Sequence, residues 1–460
     1  MIYNVIIQIY FSGNGEIVMK NNKVDMLTGP ISKGLLTMIM PLMIMNVIQT
    51  LFNVVDMMVL KIYSNDGAVG AVGACGTLLT LSITLLTGLS VGTNVVVARR
   101  IGTGNKEKTD NAVMTSIIVA IIGGLILMCL GVTFAEFVLR LTNCPEVLLP
   151  QAVKYFQIYF WGVPVTMLYT FAVSILRAIG NTKKIMYFSV SAGIFKVILT
   201  FLFVSAFNMN VAGVGLATII SNLIGCSLCF YELLKKQDVV HINFRKIRID
   251  IKELKEILLV GIPSGLQTAL YSVANVVITT VVNGFGADAT TGISIANQFD
   301  GIMYQIIYAP SLATTPYVSQ NIGAGNMKRA KKAILSSVLI TTGFGATLGF
   351  LSAFFSSELS SIMSSNPAII AYSRQKMIII SSTYFIQGIN EVLGGALRGM
   401  GKPIVPTVVT FIFMFAFRFF WIYCIYPLCP NLTFLYAVWP VGWVLSIITL
   451  LIVYFREINK

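Results

Sequence analysis

Five ionisable residues lie inside long apolar runs: Asp56, Lys196, Asp300, Glu391 and Arg418. A charge at the centre of a bilayer-spanning helix costs at least about 2.5 kcal/mol, so each is a candidate for binding a proton, an ion or a substrate. Asp56 closes a polar stripe of Asn46, Gln49, Asn53 and Asp56, spaced 3, 4 and 3. At about 100° per residue these fall within an arc of about 80° on one helix face. Lipid would not accept that stripe, so it faces protein or a wet cavity. Near the outer end of its run, Asp56 can take up a proton from outside; the competing reading is a carboxylate that pins helices together. Asn297, Asp300, Tyr304 and Tyr308 share another face, at spacings 3, 4 and 4. A carboxylate beside aromatic rings suits a lipophilic organic cation through charge and cation–π attraction, so this face is read as substrate- or proton-binding. Glu391 follows Gln387 by four residues, faces the same way as Tyr384 and sits nearer the inner side. Arg418 is expected to counter-charge Asp300 or Glu391. Tyr271 and Asn275 share one face of their run. Three acids against two bases at depth leave a net −1, which favours cationic substrates.

Other chemistry is thinly represented. His241 is the only histidine, and no Ser/Lys or Ser/His pair is evident at depth. No enzyme, metal site or bound cofactor is expected. Cys226-x-x-Cys229 looks like half a metal site but lies in an apolar helix and reads as packing. Cys424 and Cys429 flank an outer loop, and a disulfide between them is not expected. IGTGN (101–105) and IGAGN (322–326) lack the Lys-Ser/Thr ending and the preceding strand of a phosphate loop. They read as glycine turns after a helix.

The elements that must hold these residues follow from composition. The chain has 460 residues, 56% hydrophobic and only 11% charged, against about a quarter charged in soluble domains. Twelve runs are long enough to cross a bilayer, since about 20 apolar residues suffice. They are 34–60, 67–97, 111–138, 149–175, 184–206, 211–234, 254–283, 287–318, 333–356, 367–397, 404–427 and 433–455. Strand-like alternation with regular turn signals is absent, which argues against a β-barrel. The fold class is therefore an all-α integral membrane protein. Of the 32 Lys and Arg residues, 25 fall in segments on the side of the N-terminus and 5 on the other side, Lys61, Arg140, Lys154, Arg374 and Lys376. That asymmetry places both termini in the cytoplasm, in the cytoplasmic membrane. It also accounts for the net charge of +14, so no nucleic-acid partner is expected. Residues 1–11 are apolar but lack a basic n-region, so a signal peptide is not expected. Met19 is a candidate start, because the codons of Gly15-Glu16 can read as a ribosome-binding site.

The two halves repeat. Pro41 and Asn53-Val54-Val55 match Pro263 and Asn275-Val276-Val277 at an offset of 222. IGTGN matches IGAGN, and Leu176-Arg177 with Gly180 matches Leu397-Arg398 with Gly401, both at 221. Six crossings per repeat give two bundles in the same orientation with a cavity between them, a design for alternating access. The expected organisation is an N-terminal segment (1–33), a six-helix lobe (34–234), a cytoplasmic linker (235–253), a second six-helix lobe (254–455) and a tail (456–460). KIRIDIKELKEI (246–257) reads as amphipathic at the cytoplasmic surface. Ile278 stands where Asp56 would repeat, so the lobes are functionally unequal.

SQNIGAGNMKRAKKA (319–333), ARRIGTGNKEK (98–108), LRAIGNTKK (176–184) and LRGMGKP (397–403) together resemble the MATE (multidrug and toxic compound extrusion) family. NVVDMMVL (53–60), after a proline-bearing first run, is similar to its bacterial DNA-damage-inducible F branch. The resemblance covers residues 30–455. It implies a twelve-helix exporter, working as a monomer in the lipid bilayer, that exchanges drug-like organic cations for protons or sodium. It further implies that Asp56 is a coupling-ion site and that Pro41 marks a bend; Pro263, its repeat counterpart, is a second candidate hinge. IFKVILTFLF (194–203) departs from a family pattern resembling NIILDPLF: Lys196 and Thr200 replace the Asn and Asp of the ion site. An ammonium near Asp56 would fill the place of a sodium ion. A Lys196–Asp56 pair broken by protonation is one proton mechanism; a fixed structural pair is the other reading. Tyr271 stands where some relatives carry an acid, which again disfavours sodium. Proton coupling is expected and sodium coupling is the alternative. The substrate-binding candidates are Gln49, Tyr271, Asn275, Asp300, Tyr304, Tyr308, Gln387 and Glu391, and the ion-coupling set is Asn53, Asp56, Lys196 and Thr200. A flippase for lipid-linked anionic precursors should line its cavity with several arginines, and a channel would not need the duplication; both are weaker readings.

Overall fold

Helices make up all the regular structure of the residues that the computed structural model describes, which are 23–64, 66–142, 144–235, 240 and 248–458. Met19, His241 and most of the expected linker lie outside them. The first half contains α1 (Ile31–Tyr63), α2 (Asp66–Gly102), α3 (Lys106–Thr133), α4 (Ala135–Leu141), α5 (Leu149–Trp161), α6 (Val163–Ala178), α7 (Thr182–Phe201) and α8 (Asn210–Leu234). The second contains α9 (Ile251–Asn283), α10 (Ala287–Gly323), α11 (Met327–Phe354), α12 (Ser356–Ser361), α13 (Pro367–Ser381), α14 (Tyr384–Gly399), α15 (Ile404–Thr410), α16 (Phe417–Phe420), α17 (Leu432–Tyr436) and α18 (Val438–Ile458). The duplication is visible in the lengths. α1 and α9 have 33 residues each, α2 and α10 have 37, and α3 and α11 have 28.

Among the described residues nine helical stretches are long and apolar enough to cross a membrane, and ten if α5 and α6 form one crossing bent by 47°. The bend falls at Gly162, with Pro164 in the first turn of α6, where the missing N–H of proline breaks no existing bond. The other two expected crossings are α10, long but rich in amides and acids, and the pair α13 and α14, interrupted at Ser382–Thr383. Wide π-helical turns at Leu202–Ala206, Phe411–Ala416 and Trp421–Ile425 interrupt the crossings that begin with α7 and α15. Pro41 and Pro263 lie inside helices that continue on both sides.

The glycine turns have a definite local cause. Gly104 and Gly325 adopt φ of +68° and +71°, which glycine reaches without the Cβ penalty. The next residue then caps the following helix: Asn105 Oδ1 accepts from Lys108 N, and Asn326 Oδ1 accepts from Arg329 N. Each IGxGN motif is thus a helix stop followed directly by a helix start.

The halves meet along α2, which packs on α9 and α10, and along α1, which packs on α10. The crossings are made of glycine. A Cβ on Gly88 would overlap the backbone of Gly265, and one on Gly92 would overlap the carbonyl of Ile257 beside Gly261. Polar contacts between the halves run from Asn46–Gln305 and Thr84–Thr268 near mid-helix to the face that carries the basic turns. On that face Arg100 bridges to Glu253 at 2.9 Å and to Glu256 at 2.7 Å. Ser319 and Gln320 of the second half donate to the carbonyls of Val95 and Ala178 in the first. Residues 23–30 form a strap across the same face. Val24 N donates to Gly180 O, while the buried Met26 gives its carbonyl to Asn321 and Arg329, and Arg329 also reaches Gly29 O. The opposite face has Leu51, Val54 and Met58 of α1 and Val273 of α9 exposed.

Candidate functional site

In the first half, α1 and α7 bring Asp56 and Lys196 together. Lys196 Nζ lies 2.6 Å from Asp56 Oδ2 and donates to Asn53 Oδ1 at 3.1 Å. Thr200, one turn beyond Lys196, donates to the other carboxylate oxygen at 3.0 Å. Asp56 is 5% exposed. Asn53 and Asp56, named from spacing, and Lys196 and Thr200, named from the family resemblance, thus form one contact set. The polar stripe of α1 does not act as a unit. Asn46 is buried and donates to Gln305 O across the lobe boundary, and Gln49 is exposed.

The second half holds two clusters, linked by α10. Near Asp300, Lys376 Nζ lies 2.7 Å from Oδ2 and also contacts Asn297 Oδ1. Asp300 Oδ1 is buried and has no hydrogen-bond partner among the described residues. Tyr384 donates its hydroxyl to the Asp300 carbonyl at 3.2 Å and stacks on Trp443. One turn along α10, Tyr304 donates to Glu391 Oε1 at 3.3 Å, and Gln387 donates to the same oxygen at 3.1 Å. Tyr308 stacks on Tyr304 with centroids 5.6 Å apart. Tyr271 accepts from Asn390 at 3.3 Å and completes the wall. A cavity between the halves touches Tyr271, Tyr304, Tyr308 and Glu391, with Gln267 and Arg398 from the same half and Thr87 and Gly88 from the other. It offers a carboxylate, three aromatic rings and a guanidinium within one partly enclosed space.

Three sequence expectations need correction. Arg418 does not counter-charge Asp300 or Glu391. It donates to Asn275 Oδ1 at 2.6 Å and lies over Trp439 at 5.3 Å. The cation paired with Asp300 is Lys376, and the cation acting on Glu391 is Arg398. Second, Lys376 is no loop residue: it lies inside α13 and is 3% exposed. With it the bases beside the three acids number three, and Arg398 makes a fourth, so the net −1 that favoured cations disappears. Third, Asn275 does not touch this cavity: one turn along α9 from Tyr271, it meets Arg418 instead. The sequence reading missed Lys376, Arg398 and Gln267. Arg398 Nη1 donates to Gln267 Oε1 at 2.8 Å. Its signal was present, since Arg177 and Arg398 repeat at an offset of 221 and both are buried. Cys226 and Cys229 are buried free thiols of α8, and Cys424 and Cys429 are unpaired.

Comparison with known proteins places these geometries in a wider set. The MatE family model matches residues 41–202 and 263–423, one block in each half. The probable multidrug resistance protein YpnP of Bacillus subtilis is 28% identical over 400 residues, covering 86% of this chain and 88% of its own. An FAD transporter of Shewanella oneidensis is 25% identical over 398 residues, covering 84% and 86%. Among solved structures, an outward-facing conformation of a multidrug resistance MATE family transporter of the MOP superfamily superposes with a TM-score of 0.89. It is 21% identical and covers 96% of this chain and 98% of that one.

Proposed function

Because the chain belongs to the MatE family, a family of multi-pass membrane transporters and not of enzymes, we propose that it expels lipophilic, cationic small molecules in exchange for protons. YpnP and its like are multidrug resistance proteins, which supports export of drug-like compounds. The positive-inside asymmetry supports a cytoplasmic membrane location with both termini inside. The face closed by the glycine crossings and the strap is then the cytoplasmic one, and the molecule is open outward.

The observation that carries proton coupling is the position of Lys196 Nζ, in contact with both Asp56 Oδ2 and Asn53 Oδ1. A sodium ion at this place would need those same oxygens, and the ammonium already holds them. A proton arriving from outside binds Asp56 and removes the charge that holds Lys196. Lys196 keeps its bond to Asn53, and Thr200 keeps its bond to the carboxyl group. The ionic hold of α7 on α1 is thereby weakened, with Pro41 and Pro263 as the points where α1 and α9 flex. In the second half Glu391 attracts the cationic substrate, Gln387 fixes the carboxylate, and Tyr271, Tyr304 and Tyr308 supply the aromatic wall.

The test is ethidium efflux from preloaded cells, wild type against Asp56→Asn, with a pH gradient or a sodium gradient imposed separately. Efflux driven by the pH gradient and lost in the variant supports the reading. Efflux that follows sodium instead would replace the proton by sodium at this site.

A specific observation favours a second reading for the substrate. Arg418 is buried with an amide and a ring around it but no carboxylate among the described residues, and a relative carries the dianionic FAD. Inhibition of ethidium efflux by external FAD, lost in Arg418→Met, would favour substrates with an anionic group.

A further inference from the structure

The contact set around Asp56 occurs a second time, on helices that the duplication does not relate. In the first half Asn53 and Asp56, three residues apart on α1, share one ammonium, Lys196 of α7. In the second half Asn297 and Asp300, also three residues apart, on α10, share another, Lys376 of α13. The ion pairs measure 2.6 and 2.7 Å. Under the repeat offset Asp56 falls on Ile278 and Lys196 on Arg418, so the second set is no inherited copy. Each half therefore carries its own asparagine–aspartate–lysine unit.

We propose that Asn297, Asp300 and Lys376 form a second proton-binding site, so that one transport cycle moves two protons, one through each half. This rests on the proton-exchange reading of Asp56 given above. The two units differ in one respect that bears on the chemistry. Thr200 donates to the second oxygen of Asp56, whereas the second oxygen of Asp300 is buried without a partner. A buried acceptor without a partner is costly, and more so when it is charged. A proton taken up by the carboxylate of Asp300 cancels its charge, and Lys376 keeps its ammonium and its bond to Asn297. Release of that proton on the opposite side restores the pair. The other titratable groups near Asp300 are Tyr384 of α14, bonded to its carbonyl, and Tyr436 of α17. Both are neutral phenols that leave Lys376 as the only charged neighbour in contact among the described residues. Tyr304 follows Asp300 by one turn and holds Glu391, so a change of the pair reaches the substrate cavity along α10.

The experiment uses purified full-length protein in liposomes, with ethidium as the probe and the membrane voltage clamped to zero. The logarithm of the steady-state ethidium ratio is plotted against the pH difference. Thermodynamic linkage makes the slope equal to the number of protons exchanged per ethidium, so about two is expected for wild type. Asp300→Asn should transport with a slope of about one, and Asp300→Glu, which keeps the acid, should stay at about two. A wild-type slope of one would overturn the second site while leaving Asp56-driven exchange intact. An Asp300→Asn slope equal to that of wild type would overturn it as well. A slope of zero would remove proton exchange altogether. The wild-type slope decides even if Asp300→Asn does not fold.

Discussion

Lys196 and Arg418 lie 222 residues apart, and each ends on the amide oxygen of one of two asparagines at that same separation, Asn53 and Asn275. The cation and the amide have been kept in both halves, while the carboxylate exists only in the first. Arg418 has a ring, Trp439, where Lys196 has Asp56.

Supplying the missing acid should therefore be tolerated. Ile278→Asp is expected to pair with Arg418 and to cost little alone. In an Arg418→Met background the same change leaves a buried charge without a partner. The cycle should give a coupling energy of about 2–3 kcal/mol, read from thermal denaturation of the detergent-solubilised protein. A coupling near zero would mean that the two side chains do not meet.

Lys196→Met leaves the buried Asp56 without its cation, with only the Thr200 hydroxyl beside it, which is expected to destabilise the protein by about 3–5 kcal/mol. Asp56→Asn added to it should recover most of that loss without restoring transport. Chemical denaturation of the single and double variants against wild type checks the stabilities, and vesicle transport checks the loss of function.

The stacked pair Tyr304–Tyr308 should contribute to binding of a lipophilic cation. Tyr308→Ala is expected to weaken ethidium binding by about 0.5–2 kcal/mol, and Tyr308→Phe by much less, since the ring face is what attracts the charge. Fluorescence titration of purified protein distinguishes the two. Equal losses in both would shift the role to the hydroxyl.

Asp25 lies outside the membrane-spanning helices, in the strap. The Thr28 hydroxyl, which donates to its carboxylate, is the main cause that holds its pKa below the ordinary 3.8. Partial burial opposes this, and the N–H groups of Leu27 and Thr28 and the charge of Arg329 add to it. A depressed pKa gives stability that is present above the unfolded value and lost as pH falls through the folded one. Hydrogen exchange of residues 24–30 should thus be slow at neutral pH and speed up only on strong acidification, after correction for the intrinsic rate. Asp25→Ala should remove the protection at neutral pH.

Gly88 and Gly265 approach too closely for any side chain. Gly88→Val should wedge α2 from α9 and bias the molecule away from the closed-face state, because small residues are what let such helices touch. A cysteine placed at Val95, buried on that side, should then react with a water-soluble maleimide far faster than in the parent.

Much of this could be read from the residue string, and the exceptions share a cause. Apolar runs marked all twelve crossings, including those of α10 and the α13–α14 pair, where amides, acids and a break at Ser382–Thr383 dilute the pattern. Asn53 and Asp56 were legible because helical spacing aligns them on one face of α1, and Lys196 and Thr200 because they stand where the resemblance implies the ion site; one contact then joins both pairs. Lys376 was not, because a lone lysine that belongs to none of the recognised motifs reads as a charge on the outer side. Only the packing of α13 on α10 turns it into the partner of Asp300. Arg418 was misassigned for the reverse reason. Charge bookkeeping paired it with an acid, whereas the repeat offset, already in hand, pointed to Asn275.

The strap has a bearing on how the chain is made. The carbonyl of Met26 meets side chains 295 and 303 residues further along. At synthesis rates of roughly 5–20 residues per second, the ribosome needs about 15–60 seconds to deliver Asn321 and Arg329 after Met26 has emerged. Throughout that interval the carbonyl of Met26 waits for its partners, so the strap, joined to the first half by Val24 and Gly180, cannot close before much of the second half is made. Biogenesis of this transporter is therefore closed from its start: the earliest residues of the described chain are among the last to find their place.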